Sequence, residues 1–381
     1  MHPHFAPAEF AARIDRLRAE LRRARVAIGL FDEIEAMTWL TGYGNSLNRW
    51  RCVGVPVEGE PFFLIRALDA EPCRQRIGFT DVPTFRDWES PMPVLAATLQ
   101  RRGLAGAAIG LDFGSYAMTA RRFAELQSAL PDATLVDLGR VVSELRLLKS
   151  PAELGLIRRA ASVADEALRR AAAKCRAGGT QRVVARAAQA AFIDLGADPG
   201  LPGPISAGRG WDFLHAHMEE TPLAEGDTVH IELVPRVGGY GARVMRCVTI
   251  GPPAPALAQA AETLSALQDR QIAAIHPGAV ASDIDAILRE GVLRAGLRTE
   301  FDNITGYTLG LYAPQTPRTS DFTRVFHPGA SWRLEPTMVF HMYASAAGAS
   351  FSETVLVTEH GPERLTQTPR TLLSTPLPEP A

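Results

Sequence analysis

The first third of the chain alternates amphipathic segments with short apolar or β-branched runs. In residues 8–25, four apolar side chains recur at helical spacing, which predicts a helix. Helical stretches are also predicted near 93–102 and 120–130. Strands are predicted for VAIGLF (26–31), MTWLTGY (37–43), CVGVPV (52–57), PFFLIR (61–66), AAIGLDFG (107–114) and ATLVDLG (133–139). Strands that alternate with helices predict a small α/β domain.

Near residue 148 the sequence changes from short alternating segments to a long helical pattern, which predicts a domain boundary. Ser150 followed by Pro151 is typical of a helix N-cap with proline in the first turn, and Glu153 reinforces the cap. The helix is expected to end at Gly178–Gly179. We therefore predict an N-terminal domain over residues 1–148 and a C-terminal domain over residues 149–381.

The second domain contains a weak internal repeat. GTQRVVARAAQAAFIDLGA (179–197) and GAVASDIDAILREGVLRAGL (278–297) share a glycine, a short cap, an apolar helix and a glycine stop. Strand-like runs follow each segment. Two helix-then-strand halves predict pseudo-symmetry with a site in the cleft between them, although alanine-rich helices resemble one another in any case.

Composition narrows the class of protein. Among 381 residues, 40 Lys and Arg face 42 Asp and Glu, and no basic stripe typical of nucleic-acid binding is present. No apolar run approaches the roughly 20 residues of a membrane span, and the N-terminus does not read as a signal peptide. Four scattered cysteines predict neither a disulfide framework nor a zinc ribbon. These features predict a cytoplasmic globular protein, by its size an enzyme, with no nucleic-acid or membrane partner. The resemblance described below implies that its substrate is a small molecule.

The densest cluster of candidate chemistry lies in residues 210–251. In TVHIELV, strand alternation places His230 and Glu232 on one face. If the strand is covered on both sides, Glu232 faces a cleft. The alternative, which the residue taken alone favours, is a surface glutamate paired with an arginine. After a hairpin turn, the return strand places Arg243 on one face and Arg246 on the other.

His215 and His217 stand two positions apart and are possible metal ligands. A catalytic zinc site needs three protein ligands, and no third residue has convincing companion spacing. Two ordinary histidines near the mouth of a cleft are therefore the better interpretation.

Further candidates lie toward the C-terminus. A Gly-, Pro- and Thr-rich stretch carries Tyr307, Arg318 and Arg324, and alternation in MVFHMYA sets His341 and Tyr343 on one strand face. The last long strand opens with Ser352, Glu353 and Thr354.

The order of these motifs resembles the creatinase/prolidase/aminopeptidase P family over nearly the whole chain. The motifs are MTWLTGY, LRLLKSPAELGLIRRA, GDTVHIELVPRVGGYGARVMRCVTIG, LEPTMVF and SETVLVTEHGPERLT. The resemblance implies an α+β fold, in which a smaller α/β domain of the creatinase N-terminal, ribonuclease H-like type precedes a pseudo-symmetric pita-bread domain. It also implies a homodimer in which the N-terminal domain of one subunit lies near the other's active site.

The departures from the family concern metal binding. Its metallopeptidase members bind two metal ions through two aspartates, a histidine and two glutamates. The matching positions here hold Glu232, Arg243, Tyr307, Tyr343 and Ser352. At most one ligand is retained in kind, and an arginine in such a site repels cations. We therefore predict neither a metal nor another cofactor.

The resemblance is strongest to the metal-free members, creatinase and the ectoine hydrolases, which cleave a C–N bond of a small amidine or guanidine-like molecule. His215 matches the histidine that acts as the family's proton shuttle. The hypothesis is that Glu232 is the nucleophile or general base and His215 its acid/base partner. Tyr307, Tyr343 and Glu353 would orient the substrate or stabilise charge.

The candidate substrate-binding residues are Arg243, Arg246, His341, Arg318 and Arg324, with Trp39, Tyr43 and Trp50 as weaker candidates. Two other functions stay open at this point. One is a metal-dependent enzyme resembling Xaa-Pro dipeptidases or aminopeptidases. The other is a catalytically inactive pita-bread module that binds a partner.

Overall fold

The computed structural model describes residues 4–44, 48–210, 213–214, 216–313, 316–318 and 320–376. The chain divides into two compact units, of which the first ends at Arg146 and the second begins at Leu147. Residues 316–317 group with the first unit. Among the residues described, no helix is long and apolar enough to cross a membrane.

The first unit alternates helices and strands as its hydrophobic pattern predicts. Its helices are α1 (Pro7–Arg23), α2 (Ile34–Thr41), α3 (Ala70–Arg74), α4 (Pro91–Arg101), α5 (Ala120–Ala129) and α6 (Val141–Leu145). Its strands are β1 (Ile28–Phe31), β2 (Cys52–Pro56), β3 (Phe62–Arg66), β4 (Thr84–Phe85), β5 (Ala108–Leu111) and β6 (Thr134–Asp137).

These strands form one mixed sheet in the order β4-β3-β2-β1-β5-β6. The strand β1 runs antiparallel to β2 and parallel to β5. Apolar side chains of α4 and α5, among them Leu95, Leu99 and Leu126, pack with Ile28 and Ile109 of the sheet. The unit is therefore an α/β layer structure with its own core.

The prediction of a strand at MTWLTGY is wrong, because most of that segment belongs to α2. The helix ends at Gly42, whose φ of 78° gives the left-handed conformation typical of a helix C-terminus. Nearly every residue of α2 is buried. A helix that is covered on all sides shows no polar stripe, so its sequence reads like a buried strand.

The second unit contains four longer helices within the described residues: α7 (Pro151–Ala172), α8 (Gln181–Asp194), α9 (Pro255–Ala273) and α10 (Ala281–Arg294). Its strands are β7 (Ile205–Gly208), β8 (Thr228–Leu233), β9 (Arg236–Val237), β10 (Tyr240–Gly241), β11 (Val244–Thr249), β12 (Gly306–Thr308), β13 (Val325–Phe326), β14 (Val339–Ala346), β15 (Ala349–Thr358), β16 (Gly361–Arg364) and β17 (Leu373–Ser374).

The main sheet of this unit runs in the order β13-β12-β14-β15-β11-β8-β7. The helix pair α7 and α8 precedes β7, β8 and β11, and the pair α9 and α10 precedes β12, β14 and β15. The predicted repeat of two helix-then-strand halves is thus present. Strands from the two halves meet where β11 pairs with β15.

The two faces of this sheet differ in polarity. Phe340 and Met342 of β14 and Val355 of β15 join an apolar core with Ile272 of α9 and Ile284 of α10. Strand alternation turns the residues between them to the opposite face. That opposite face carries the candidate site.

Candidate active site

Two neighbouring rows of side chains cross the polar face of the sheet. In the first row, Glu232 of β8 stands opposite Met245, Met245 opposite Ser352, and Ser352 opposite Tyr343. In the second row, Thr354 of β15 stands opposite His341 of β14, and His341 opposite Tyr307 of β12. Arg243 precedes β11 and lies beside Thr354, so it belongs to the second row.

Glu232 and Arg243 form a buried ion pair, with Nη1 of the arginine 2.8 Å from Oε1 of the glutamate. Only 5% of Glu232 and 6% of Arg243 is exposed. The side chain of Thr354 accepts a hydrogen bond from the Arg243 amide at 2.8 Å and donates one to its carbonyl at 2.9 Å. Burial alone lowers the pKa of Arg243, but Tyr307 and Glu232 hold that pKa above its usual value. Arg243 is therefore a fixed positive charge against the Glu232 carboxylate.

Tyr307 connects the arginine to an aromatic group. The Tyr307 hydroxyl accepts a hydrogen bond from Arg243 Nη1 at 2.5 Å, and the guanidinium carbon lies 5.5 Å from the ring centroid. Burial raises the pKa of Tyr307 by more than Arg243 lowers it. The side chain consequently remains a protonated phenol at neutral pH. Phe322 packs edge-on against its ring at 5.1 Å.

His341 lies between two tyrosine rings. Its ring centroid is 5.0 Å from that of Tyr307 and 5.3 Å from that of Tyr343, on which it stacks. Burial, and then Arg243, lower the pKa of His341 well below its usual value, so the imidazole is neutral. Burial also raises the pKa of Tyr343, whose hydroxyl accepts a hydrogen bond from Asn303 at 3.4 Å.

Two predicted site residues, Arg246 and Glu353, lie on the opposite face of the sheet, and their assignment is corrected accordingly. They pair with each other at 2.7 Å and have no exposed surface. The remaining N–H groups of Arg246 bind the backbone carbonyls of Met245, Ser352, Thr368 and Pro369. Because every donor of the guanidinium is already used, Arg246 is a structural residue and does not bind substrate.

The three weaker candidates all have packing partners within the first unit. Trp39 has no exposed surface, and its ring lies 5.0 Å from the Arg13 guanidinium. Trp50 donates its indole N–H to Asp32 at 2.8 Å, and the Tyr43 hydroxyl reaches the Asp69 carbonyl at 3.4 Å. These contacts explain the three aromatic residues by the packing of this unit and give no evidence for substrate contact.

Two further predicted residues, Arg318 and Arg324, lie outside the helices and strands of the described residues. Arg318 and Arg324 are half-buried. The backbone amide of Arg324 donates to the Thr308 hydroxyl at 2.9 Å, which braces the strand that carries Tyr307. His215 lies outside the described residues, and its neighbour in the sequence His217 is exposed.

Sequence reasoning named Thr354 without a role, and the structure shows that it fixes the backbone of Arg243. Sequence reasoning missed other residues that support the site, among them Phe322, which packs on Tyr307. Asp285 of α10 pairs with Arg289, which donates to the Asn303 carbonyl at 2.9 Å and thereby supports the partner of Tyr343. These contacts join residues far apart in the chain, so no local pattern could have indicated them.

The residues at the family's metal-ligand positions do come together, but they do not fit a pair of metal ions. Glu232, Arg243, Tyr307, Tyr343 and Ser352 all lie on the polar face. The one carboxylate among them is already paired with a guanidinium. Within the described ranges, no three His, Cys, Asp or Glu side chains group as metal ligands. Divalent cations need several carboxylate or imidazole ligands, and a fixed positive charge opposes their binding.

The fold and the site together define a class: an α/β unit precedes a unit of two helix-and-sheet halves, whose shared sheet presents a polar face. Residues 155–359 match the metallopeptidase family M24, and residues 13–148 match the creatinase/prolidase N-terminal domain. The chain therefore belongs to the metallopeptidase family M24. The expected pita-bread fold behind a creatinase-type N-terminal domain is confirmed.

Several known proteins are similar to this chain. The ectoine hydrolase of Halomonas elongata is 26% identical over an alignment of 398 positions, which covers 97% of this chain and 98% of that protein. The Xaa-Pro dipeptidase of Pyrococcus furiosus is 28% identical over 235 residues, 61% of this chain and 67% of that one. The crystal structure of dipeptidase PepE from Mycobacterium ulcerans has a TM-score of 0.82 at 23% identity, covering 98% of this chain and 100% of that one.

Proposed function

We propose that this protein is a metal-independent hydrolase that cleaves a C–N bond in a small amidine, cyclic amidine or guanidine-like molecule. Its similarity to an ectoine hydrolase over almost the full length of both chains supports a hydrolase of this type. The buried pair of Glu232 and Arg243 carries the proposal, because it occupies positions at which metallopeptidases of the family hold two metal ligands.

The proposed reaction uses side chains alone. Glu232 takes a proton from a water molecule, whose oxygen bonds to the amidine carbon, or its carboxylate attacks that carbon directly. In the second case, water cleaves the covalent intermediate after the amine has left, which restores the carboxylate. The C–N bond then breaks, and His215 supplies a proton to the departing nitrogen. Arg243 holds the Glu232 carboxylate in one orientation. The protonated phenols of Tyr307 and Tyr343 are donors for charge that develops on the substrate.

An Xaa-Pro peptidase is the second candidate, and the similarity to the Xaa-Pro dipeptidase of Pyrococcus furiosus favours it. It needs a metal site that the described residues do not provide. A binding module without activity is the third. The hydrogen bond between Arg243 and Tyr307 indicates a site adapted to another reaction, whereas a site that had lost its function would be filled by small apolar residues.

The decisive experiment combines elemental analysis of the purified protein with a turnover screen in the presence and absence of a chelator. The screen contains ectoine, creatine, related amidines and Xaa-Pro dipeptides. We expect less than about 0.1 metal ion per chain and amidine cleavage that resists the chelator. Stoichiometric metal with chelator-sensitive dipeptide cleavage would instead identify a peptidase, and no turnover on any compound would favour the binding module.

A pair of glutamate variants tests the assignment of Glu232. We expect Glu232→Gln to lower kcat by a factor of about 100 or more, because the amide cannot act as base or nucleophile. Glu335→Gln changes an exposed glutamate in the same unit and is the matched control. Equal turnover by the two variants, both folded, would rule out Glu232 as the catalytic carboxylate.

A further inference from the structure

The hydroxyl of Tyr343 receives a hydrogen bond whose direction is fixed by a third residue. The side-chain amide of Asn303 lies between Arg298 and Tyr343. Arg298 Nη1 is 2.7 Å from the amide oxygen, and the amide nitrogen is 3.4 Å from the Tyr343 hydroxyl. A guanidinium has donors only, so the oxygen of the amide must face Arg298 and its nitrogen must face Tyr343. Tyr343 therefore accepts from Asn303 and does not donate to it.

The groups that hold Asn303 are charged and largely buried. Arg289 of α10 donates to the Asn303 carbonyl at 2.9 Å, and its guanidinium pairs with both oxygens of Asp285, at 2.6 Å and 3.0 Å. Asp285 has no exposed surface. The guanidinium carbons of Arg289 and Arg298 lie over the Phe301 ring, 4.6 Å and 4.4 Å from its centroid. The two arginines therefore fix both the backbone and the side chain of Asn303.

The position of Asn303 determines where the phenol hydrogen of Tyr343 points. A phenol carries one hydrogen, which turns away from a group that already donates to its oxygen. Asn303 precedes β12, Ser352 belongs to β15, and β14 with Tyr343 lies between these two strands. The O–H therefore turns toward β15, along the row that contains Ser352 and Glu232.

The phenol hydrogen is free to act on a substrate. Among the described residues, none accepts a hydrogen bond from Tyr343, and the buried hydroxyl of Ser352 opposite it has no hydrogen-bond partner there either. Burial raises the pKa of Tyr343, so the hydrogen is present at neutral pH. The structure therefore presents Tyr343 as a donor with a set direction.

We propose that Asn303 is a positioning residue that directs the Tyr343 O–H into the candidate active site as a hydrogen-bond donor. The role of this donor in turnover rests on the proposed function, in which Tyr343 donates to charge that develops on the substrate. An acceptor in place of the Asn303 amide group would reverse the hydrogen bond and turn the O–H away from the substrate. Asn303→Asp makes this change at nearly constant size, beside two arginines that compensate the new charge.

The direction of the hydrogen bond can be measured on the full-length protein without any need for turnover. The tyrosine ring carbons that bear the hydroxyl groups are labelled with ¹³C, and Tyr343→Phe identifies the Tyr343 resonance. We expect Asn303→Asp to shift this resonance at pH 8 and to raise the pKa of the phenol by at least about one pH unit, because the phenol then donates to a carboxylate. Asn48→Asp makes the same change at an exposed position and should alter neither value. A Tyr343 resonance and pKa that Asn303→Asp leaves unchanged would overturn the proposal.

Arg298→Met tests the origin of the direction and replaces Asn303→Asp if that variant does not fold. Without the guanidinium, the Asn303 amide can rotate and accept from Tyr343, so we expect the Tyr343 resonance to shift in the same direction as in Asn303→Asp. Arg294→Met removes an exposed arginine of α10 and is the matched control. Identical Tyr343 resonances in Arg298→Met and Arg294→Met would contradict the orientation of the amide by Arg298.

Kinetics test the role in turnover separately. We expect Asn303→Asp to lower kcat at least about tenfold with little change in KM, and Tyr343→Phe to lower kcat at least as much. The double variant should lose no more than about twofold beyond Tyr343→Phe, because Asn303 acts only through the Tyr343 hydroxyl. Additive losses, or a shifted resonance with unchanged kcat, would contradict the positioning role. Turnover of no compound would contradict the proposed function, whereas the Tyr343 resonance would still decide the direction of the hydrogen bond.

Discussion

Arg243 is the residue that most affects the charges and hydrogen bonds of the candidate site. It neutralises Glu232, bonds to Tyr307 and lowers the pKa of His341. A buried ion pair adds little net stability as a unit, because each charge loses its water, but removal of one partner leaves the other uncompensated. The pair therefore makes the fold depend on the arginine.

We expect Arg243→Met to lower the free energy of unfolding by about 3–5 kcal/mol, because it leaves the Glu232 carboxylate buried without a partner. The double variant Arg243→Met/Glu232→Met removes both charges and should recover most of that loss. Denaturant unfolding of the two variants measures both values. A single variant as stable as the unmodified protein would show that Glu232 does not depend on Arg243 in solution.

Two serines on β15 provide a matched test of the unpaired hydroxyl. Ser352→Ala should raise the free energy of unfolding by about 1 kcal/mol, since it removes a buried hydroxyl that has no partner among the described residues. Ser350→Ala should lower it by about 1–2 kcal/mol, because the Ser350 hydroxyl lies 2.7 Å from His230 Nδ1. Thermal and denaturant unfolding compare the stabilities of the two variants. A loss of stability in both variants would show that the Ser352 hydroxyl does have a hydrogen-bond partner.

At the scale of elements, the N-terminus of α7 is the feature that the sequence defines most fully. Ser150 accepts from the Glu153 amide at 3.2 Å, and the Glu153 side chain accepts from the Ser150 amide at 2.8 Å, so the capping box is complete. We expect Ser150→Ala to lower the free energy of unfolding by about 1 kcal/mol.

The matched control is Thr180→Ala at the start of α8, where the side chain makes no capping hydrogen bond. This variant should cost less than half as much as Ser150→Ala. Denaturant midpoints of the two variants provide the comparison. Equal losses would mean that the side-chain hydrogen bond at Ser150 does not stabilise α7.

Elements with a clear period were predictable, and elements covered on all sides were not. The helix at 8–25 and the alternation in TVHIELV and MVFHMYA are as predicted. The two faces of each of these elements lie in different environments, which produces a clear sequence period. The helix α2 was mistaken for a strand because it is buried almost all round. Its C-terminal Gly42 was the one signal of a helix.

For the candidate site, strand alternation predicted only which side chains share a face of the sheet. Alternation separates Arg243 from Arg246 and His341 from Met342. It does not reveal that Arg246 is saturated by carbonyls more than 100 residues later, at Thr368 and Pro369. Nor does it reveal the contact between Arg243 and Tyr307, which depends on the order of strands in the sheet. Long-range pairing is set by the whole fold, so a local pattern cannot contain it.

At the scale of the whole molecule, the family's architecture is retained while the chemistry of its centre is altered. The five positions that hold metal ligands in metallopeptidases of the family still meet on one face, but the side chains there form an ion pair and an aromatic group. Fold membership alone therefore does not define the reaction. The homodimer that the resemblance implies stays a prediction.

The buried His341 makes the stability of the whole chain depend on pH. Burial and Arg243 hold its pKa well below 6.5, so the unfolded chain binds a proton below pH 6.5 that the folded chain does not. The free energy of unfolding therefore falls as the pH falls below that value, by up to about 1.4 kcal/mol per pH unit from this residue. In His341→Phe this contribution is absent.

Unfolding curves at about pH 7.5 and pH 5.5 isolate the effect as a difference between the protein and its variant. We expect the unmodified protein to lose more stability on acidification than His341→Phe, whereas His276→Phe, on an exposed loop, should follow the unmodified protein. Because other titrating groups contribute equally to the protein and its variants, their effects cancel in the comparison. Parallel pH profiles for the protein and His341→Phe would mean that His341 is not held neutral in the fold.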